Sequence, residues 1–126
     1  MKIFSLALLT LQVFAAIKSN NNWSVSGFDS GGFMATQMGF AYSQTIKGVG
    51  AFGASFYFCA GEDEKNIGSQ CINTKFKNLD YIKQNIEYLE DNGYIDKTGN
   101  LSTSKVFLFN GKEDTEVPVA MGKLSE

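Results

Sequence analysis

Residues 26–34 read SGFDSGGFM. The stretch before them, Trp23-Ser24-Val25-Ser26, alternates polar and apolar and reads as a short strand. The stretch after them, residues 33–42 (FMATQMGFAY), is apolar at 33, 34, 38, 40, 41 and 42, enough for a buried helix. Strand, sharp glycine turn, then helix is the setting of a nucleophile elbow. Such a bend needs small residues two before and two after its apex, because side chains there would clash. With position 29 at the apex, the flanking residues are Gly27 and Gly31. With Ser30 they are Phe28 and Gly32, and Phe28 is too large. Sterics therefore select position 29, which is an aspartate.

Working outward, Gly39 reads as a close-packing point on the first helix, and residues 49–58 (VGAFGASFYF) as a buried strand. Phe76, Leu79, Ile82, Ile86 and Leu89 recur at helical spacing and form an amphipathic stripe. Asn73 is its expected N-cap and Asn92-Gly93 its expected stop. Residues 105–109 (KVFLF) read as a strand, 110–116 (NGKEDTE) as a loop, and 119–125 as the start of a last helix. Strands alternating with helices predict the α/β class, with a short, mostly parallel sheet and crossover helices. Three strands are few, and parallel sheets need cover on both faces. The expectation is a partial three-layer unit, either minimal or a piece of something larger. An unclosed sheet edge would favour pairing; the oligomeric state is left open.

The N-terminus is set apart from this fold. Met1-Lys2 is a short positive region, and residues 3–16 (IFSLALLTLQVFAA) form an apolar run too short to span a membrane as a helix. With Val13 and Ala15 as small residues at a cleavage site, residues 1–15 read as a secretory signal peptide and 16–126 as the domain. The expected location is extracellular, with no membrane association after cleavage. In an oxidising compartment the two cysteines, Cys59 and Cys71, argue for a disulfide across a polar, glycine-containing loop. Closing a loop of that size contributes roughly 3 kcal/mol in the chain-entropy picture. Two free buried thiols are the other reading. Asn22-Trp23-Ser24 and Asn100-Leu101-Ser102 fit the N-glycosylation pattern, and Asn100, expected in a turn, is the favoured acceptor of the two.

Composition then excludes whole classes. The formal net charge is −2, and all 11 basic residues are lysine. Nucleic-acid binding is not expected without a basic excess, and no guanidinium fork is present for phosphate. The sequence contains no histidine. That removes an imidazole base, a Ser-His-Asp triad within the chain and a histidine metal ligand. No metal and no cofactor are expected. The run Glu62-Asp63-Glu64 reads as a solvated face.

Residues 25–42, VSGFDSGGFMATQMGFAY, resemble the lipase box and following helix of secreted poly(3-hydroxybutyrate) depolymerases and their esterase relatives. That family shows a Gly-Leu-Ser-Ser-Gly-Gly core, then Met-Ala and an aromatic-rich helix. Residues 49–58 resemble its next strand, which leads into a loop holding two cysteines, matched by Cys59 and Cys71. Residues 105–117 (KVFLFNGKEDTEV) resemble the strand and loop that present the acid of the triad, with Asp114 on that acid. The resemblance implies an α/β-hydrolase that splits polyester or short ester bonds through an acyl-enzyme, without metal or cofactor. It also implies that Ser30 gives its backbone N–H to the oxyanion hole.

Two departures bear on activity. The nucleophile position holds Asp29, and no residue of this chain matches the family's histidine. Some α/β-hydrolases use an elbow aspartate, whose covalent ester is then hydrolysed by a histidine-activated water. Without a base from another chain, Asp29 reads as a helix cap or vestige. Asp114 likewise has a reading as a solvated turn acid. Two functions follow: a truncated or catalytically impaired ester hydrolase, or a non-catalytic secreted binding module that retains the elbow half of the fold.

Overall fold

The computed structural model describes residues 20–72 and 79–125. Three strands, β1 (Trp23–Phe28), β2 (Ile46–Phe52) and β3 (Lys105–Phe109), form one sheet in the order β1-β2-β3. Both pairings are parallel, with Val25 opposite Val49 and Val49 opposite Val106. Helix α1 (Ser30–Ala41) crosses from β1 to β2, and the connection from β2 to β3 carries α2 (Leu79–Asp91). A short α3 (Val119–Lys123) follows β3. The chain is an α/β protein with a short parallel sheet and crossover helices.

Strand alternation divides the sheet into two faces. Val25, Gly27, Val49, Ala51, Val106 and Leu108 share one face. Helix α1 lies on it so closely that a Cβ on Gly39 would run into the Val49 side chain. Gly39 is thus the contact through which helix and sheet backbones approach. The opposite face carries Ser24, Ser26 and Phe28 from β1, Gly48, Gly50 and Phe52 from β2, and Lys105, Phe107 and Phe109 from β3. There Phe28, Phe107 and Phe109 are 77%, 58% and 57% exposed. The Phe52 ring bridges the last two, at 5.5 Å from Phe107 and 6.3 Å from Phe109.

The apolar core lies beside the sheet rather than across it. Phe56, Cys59, Cys71, Ile82, Val117 and Met121 are buried together, with Leu79, Ile86 and Leu124 packed against them. Cys59 and Cys71 are joined as a disulfide at its centre. Of the expected apolar stripe on α2, Ile82 is buried and Leu79 and Ile86 lean on the core. Asn73 and Phe76 lie outside the described residues. The helix stops where Asn92-Gly93 predicts. Gly93 has φ 72°, its N–H donates to Glu90 O, and the Tyr94 N–H donates to Leu89 O. These are the paired bonds of a Schellman stop.

Three elements have boundaries that differ from expectation. The second strand runs over Ile46–Phe52, not 49–58. Its early start is fixed by pairing: Ile46 lies opposite Trp23 and Gly48 opposite both Ser24 and Lys105. It ends early because Gly53, at φ 60°, turns the chain out of the sheet. Residues 54–57 are still buried, but as a loop, with Tyr57 stacked on Phe40 at 4.4 Å. Burial pushes the Tyr57 phenol above its ordinary pKa. The first helix begins at Ser30 rather than 33, and the first strand continues to Phe28, so the turn between them shrinks to Asp29. Asn100, expected in a turn, is half-buried within a 3₁₀ stretch at Thr98–Thr103, whereas Asn22 is exposed just before β1.

Candidate active site

The strand-to-helix bend is a one-residue device. Asp29 has φ 54° and ψ −122°, outside the regions that L-residues favour. It is held there from both sides. Its N–H donates to Phe52 O at 2.9 Å, and its carbonyl accepts from the Phe33 N–H at 2.9 Å. Strain of this sort persists only when the surroundings over-determine it. A Cβ on Gly27 would collide with the Gly31 backbone. The second steric requirement falls one residue later than expected. A Cβ on Gly31 would meet nothing within 4 Å, while one on Gly32 would lie 2.8 Å from Phe52 O and 3.0 Å from Gly27 O. Gly31 matters as the backbone that Gly27 must clear, and Gly32 as the point where the helix meets the end of β2.

The Asp29 side chain is exposed and makes no capping bond. The reading of Asp29 as a helix cap is therefore corrected. It stands at the N-cap position, but capping side chains reach the helix N–H groups from β-region backbone angles, and the bend imposes a positive φ instead. Ser30 opens α1, where the first N–H groups have no acceptor within the helix. The bend thus displays a carboxylate beside free backbone donors.

Asp114 comes to the same end of the sheet from β3. Its Oδ1 accepts from the N–H of Glu116 at 2.9 Å and of Val117 at 2.8 Å. Its Oδ2 lies 3.6 Å from the Cβ position of Gly53, where Phe28 Cε2 also approaches at 3.8 Å. Gly53 follows Phe52, whose carbonyl anchors the Asp29 N–H. Both aspartates therefore sit at the carboxyl ends of the strands, where open α/β sheets bind their ligands. Asp114 is half-buried, not a freely solvated turn residue.

Asn110 was not singled out by the sequence. Its amide donates to Ala54 O at 3.1 Å and to Val117 O at 3.2 Å, tying the loop that carries Asp114 to the chain leaving β2. A Cβ on Gly122 would strike the same side chain. The only trace in the sequence is the Asn110-Gly111 turn pair. Ser55 was also missed: it is 1% exposed and its hydroxyl has no partner among the described residues. The acidic run at 62–64 is solvent-exposed, with Asp63 Oδ1 accepting from the Lys65 N–H at 3.0 Å. Among the described residues no acidic or cysteine cluster could hold a metal, and no helix is long and apolar enough to cross a membrane.

No family model matches the chain. Individual proteins do. A poly(3-hydroxybutyrate) depolymerase of Delftia acidovorans is 35% identical over 96 residues, 75% of this chain and 19% of that protein. A polyhydroxybutyrate depolymerase of Talaromyces funiculosus is 33% identical over 106 residues, 82% of this chain and 30% of that protein. The crystal structure of the depolymerase from Penicillium funiculosum superposes with a TM-score of 0.68 at 29% identity, covering 80% of this chain and 31% of that one. The chain thus spans less than a third of the length of the relatives it matches. Over that span, in sequence and in fold, it is similar to polyhydroxybutyrate depolymerases, as a partial relative.

Proposed function

We propose that the chain is the elbow-bearing part of a secreted polyester hydrolase, and that alone it does not turn esters over. One observation carries the reading. The apex of the bend, where the resembling enzymes place a serine, displays the carboxylate of Asp29, and the sequence holds no imidazole to move a proton for it. Removing members of a catalytic triad costs several powers of ten in rate, and what remains comes from the oxyanion hole and binding. The Ser30 N–H and Asp114 are the remaining elements of such a site. Secretion is supported by the leader-like residues 1–15 and by the disulfide. Asn22, exposed in its Asn-Trp-Ser triplet, and Asn100 are the candidate glycosylation sites. Neither cofactor nor metal enters this reading.

The test is hydrolysis of para-nitrophenyl butyrate by the full chain and by Asp29→Ser. Both are expected at the rate of buffer, because serine without a base is not activated. Hydrolysis by the unmodified chain that Asp29→Asn abolishes would refute the proposal.

The open aromatic row of Phe28, Phe107 and Phe109 favours a second reading, a module that binds polyester without cleaving it. Depletion of the chain from solution by polyhydroxybutyrate granules, reversed by Phe107→Ser with Phe109→Ser, would support it. Equal depletion of both proteins would exclude it.

A further inference from the structure

Between α1, α2 and the inner face of β3 lies a cavity of about 690 Å³, within the size range of small-molecule sites. Its walls include Phe40, Val49, Ile82, Ile86, Val106 and Leu108. Asp29, Ser30 and Asp114 do not line it. Two features give it a chemical preference. First, among the described residues Lys83 and Lys123 lie on its lining with no Asp or Glu, although the whole chain carries net charge −2. Second, neither lysine is paired in a salt bridge among the described residues.

We propose that this cavity binds a single-chain aliphatic carboxylate, its alkyl chain against the apolar walls and its carboxylate toward the lysines. A neutral hydrocarbon would leave the lysines unused, and a cationic amphiphile would be repelled by them. The proposal goes beyond the esterase reading and shares no residue with the bend, so the two succeed or fail separately.

The experiment is isothermal titration of the full-length chain with octanoate, dodecanoate and hexadecanoate, each beside its matching alcohol. Affinity is expected to rise by about three- to fourfold for each methylene buried until the cavity is full. The carboxylate should bind more tightly than the alcohol. Lys83→Glu with Lys123→Glu, both exposed, should weaken carboxylate binding about fivefold or more and leave the alcohol unchanged. Ile86→Trp, checked for native circular dichroism, should block binding by filling the space. Binding indifferent to chain length, or equal for acid and alcohol, would overturn the proposal. So would a dimer in solution that takes up no ligand, since a second copy would then cover the groove.

Discussion

The two halves of the molecule are held by opposite means. Residues 23–52 pack backbone against backbone. Gly27 clears the Gly31 carbonyl, Gly32 meets Phe52 O, and Gly39 admits Val49. There is little apolar side chain to bury, and the far sheet face is left exposed. The other half, from Phe56 through α2 to Met121, is held by apolar burial around a covalent cross-link. One half fixes the position of a reactive group to within the width of a methyl. The other holds the connection between β2 and β3 together. The loop that bears Asp114 is tied to both, through Asn110 and Val117.

The largest expected effect falls on the cross-linked half. Cys59→Ala with Cys71→Ala should cost about 2–5 kcal/mol in denaturant unfolding. If the halves are distinct in the way described, hydrogen exchange should show amides of α2 losing protection before those of β2. Simultaneous loss in both would merge them into one cooperative unit. Gly27→Ala attacks the other half. The methyl would meet backbone rather than a side chain that can swing away, and overpacking of this kind costs about 1–3 kcal/mol. Gly31→Ala, with open space around it, sharpens the contrast and should lie near neutral in the same measurement. A small, pH-dependent effect concerns the turn after α2. Glu90 accepts the Thr98 N–H at 2.9 Å and pairs with Lys97 at 3.3 Å. The hydrogen bonds from Thr98, aided by Lys97, hold the Glu90 carboxyl below its usual range. A lowered folded pKa means stabilisation that is present above the unfolded value and is lost as pH falls through the folded one. The Tm difference between the parent and Glu90→Gln should therefore be small near neutrality and vanish in acid. A difference that persisted in acid would assign the effect to packing.

The same contrast explains what the sequence made legible. The parallel order, the Gly39 contact and the α2 stop follow from local patterns, because periodicity and glycine placement act over a few residues. The end of β2 did not. Residues 53–58 are as apolar as the strand before them, and composition cannot distinguish a buried strand from a buried loop once Gly53 has turned the chain. The start of β2 was hidden for the converse reason: Lys47 and Gly48 look like a loop until β1 and β3 pair with them. At the candidate site, the apex residue was legible from sterics, but the failure of Asp29 to cap α1 depends on backbone angles that no pattern of residue types encodes. Asn110 was invisible because its partners lie 56 and 7 residues away.

The bend at residue 29 works as a socket. Its unfavourable angles are imposed by main-chain bonds to Phe52 and Phe33 and by glycines on either side, none of which consults the side chain mounted there. A mutation at this one codon can therefore exchange hydroxyl, thiol or carboxylate while the scaffold stays put. Chemistry and architecture are free to diverge, and a lineage could lose or regain reactivity at that point without refolding anything.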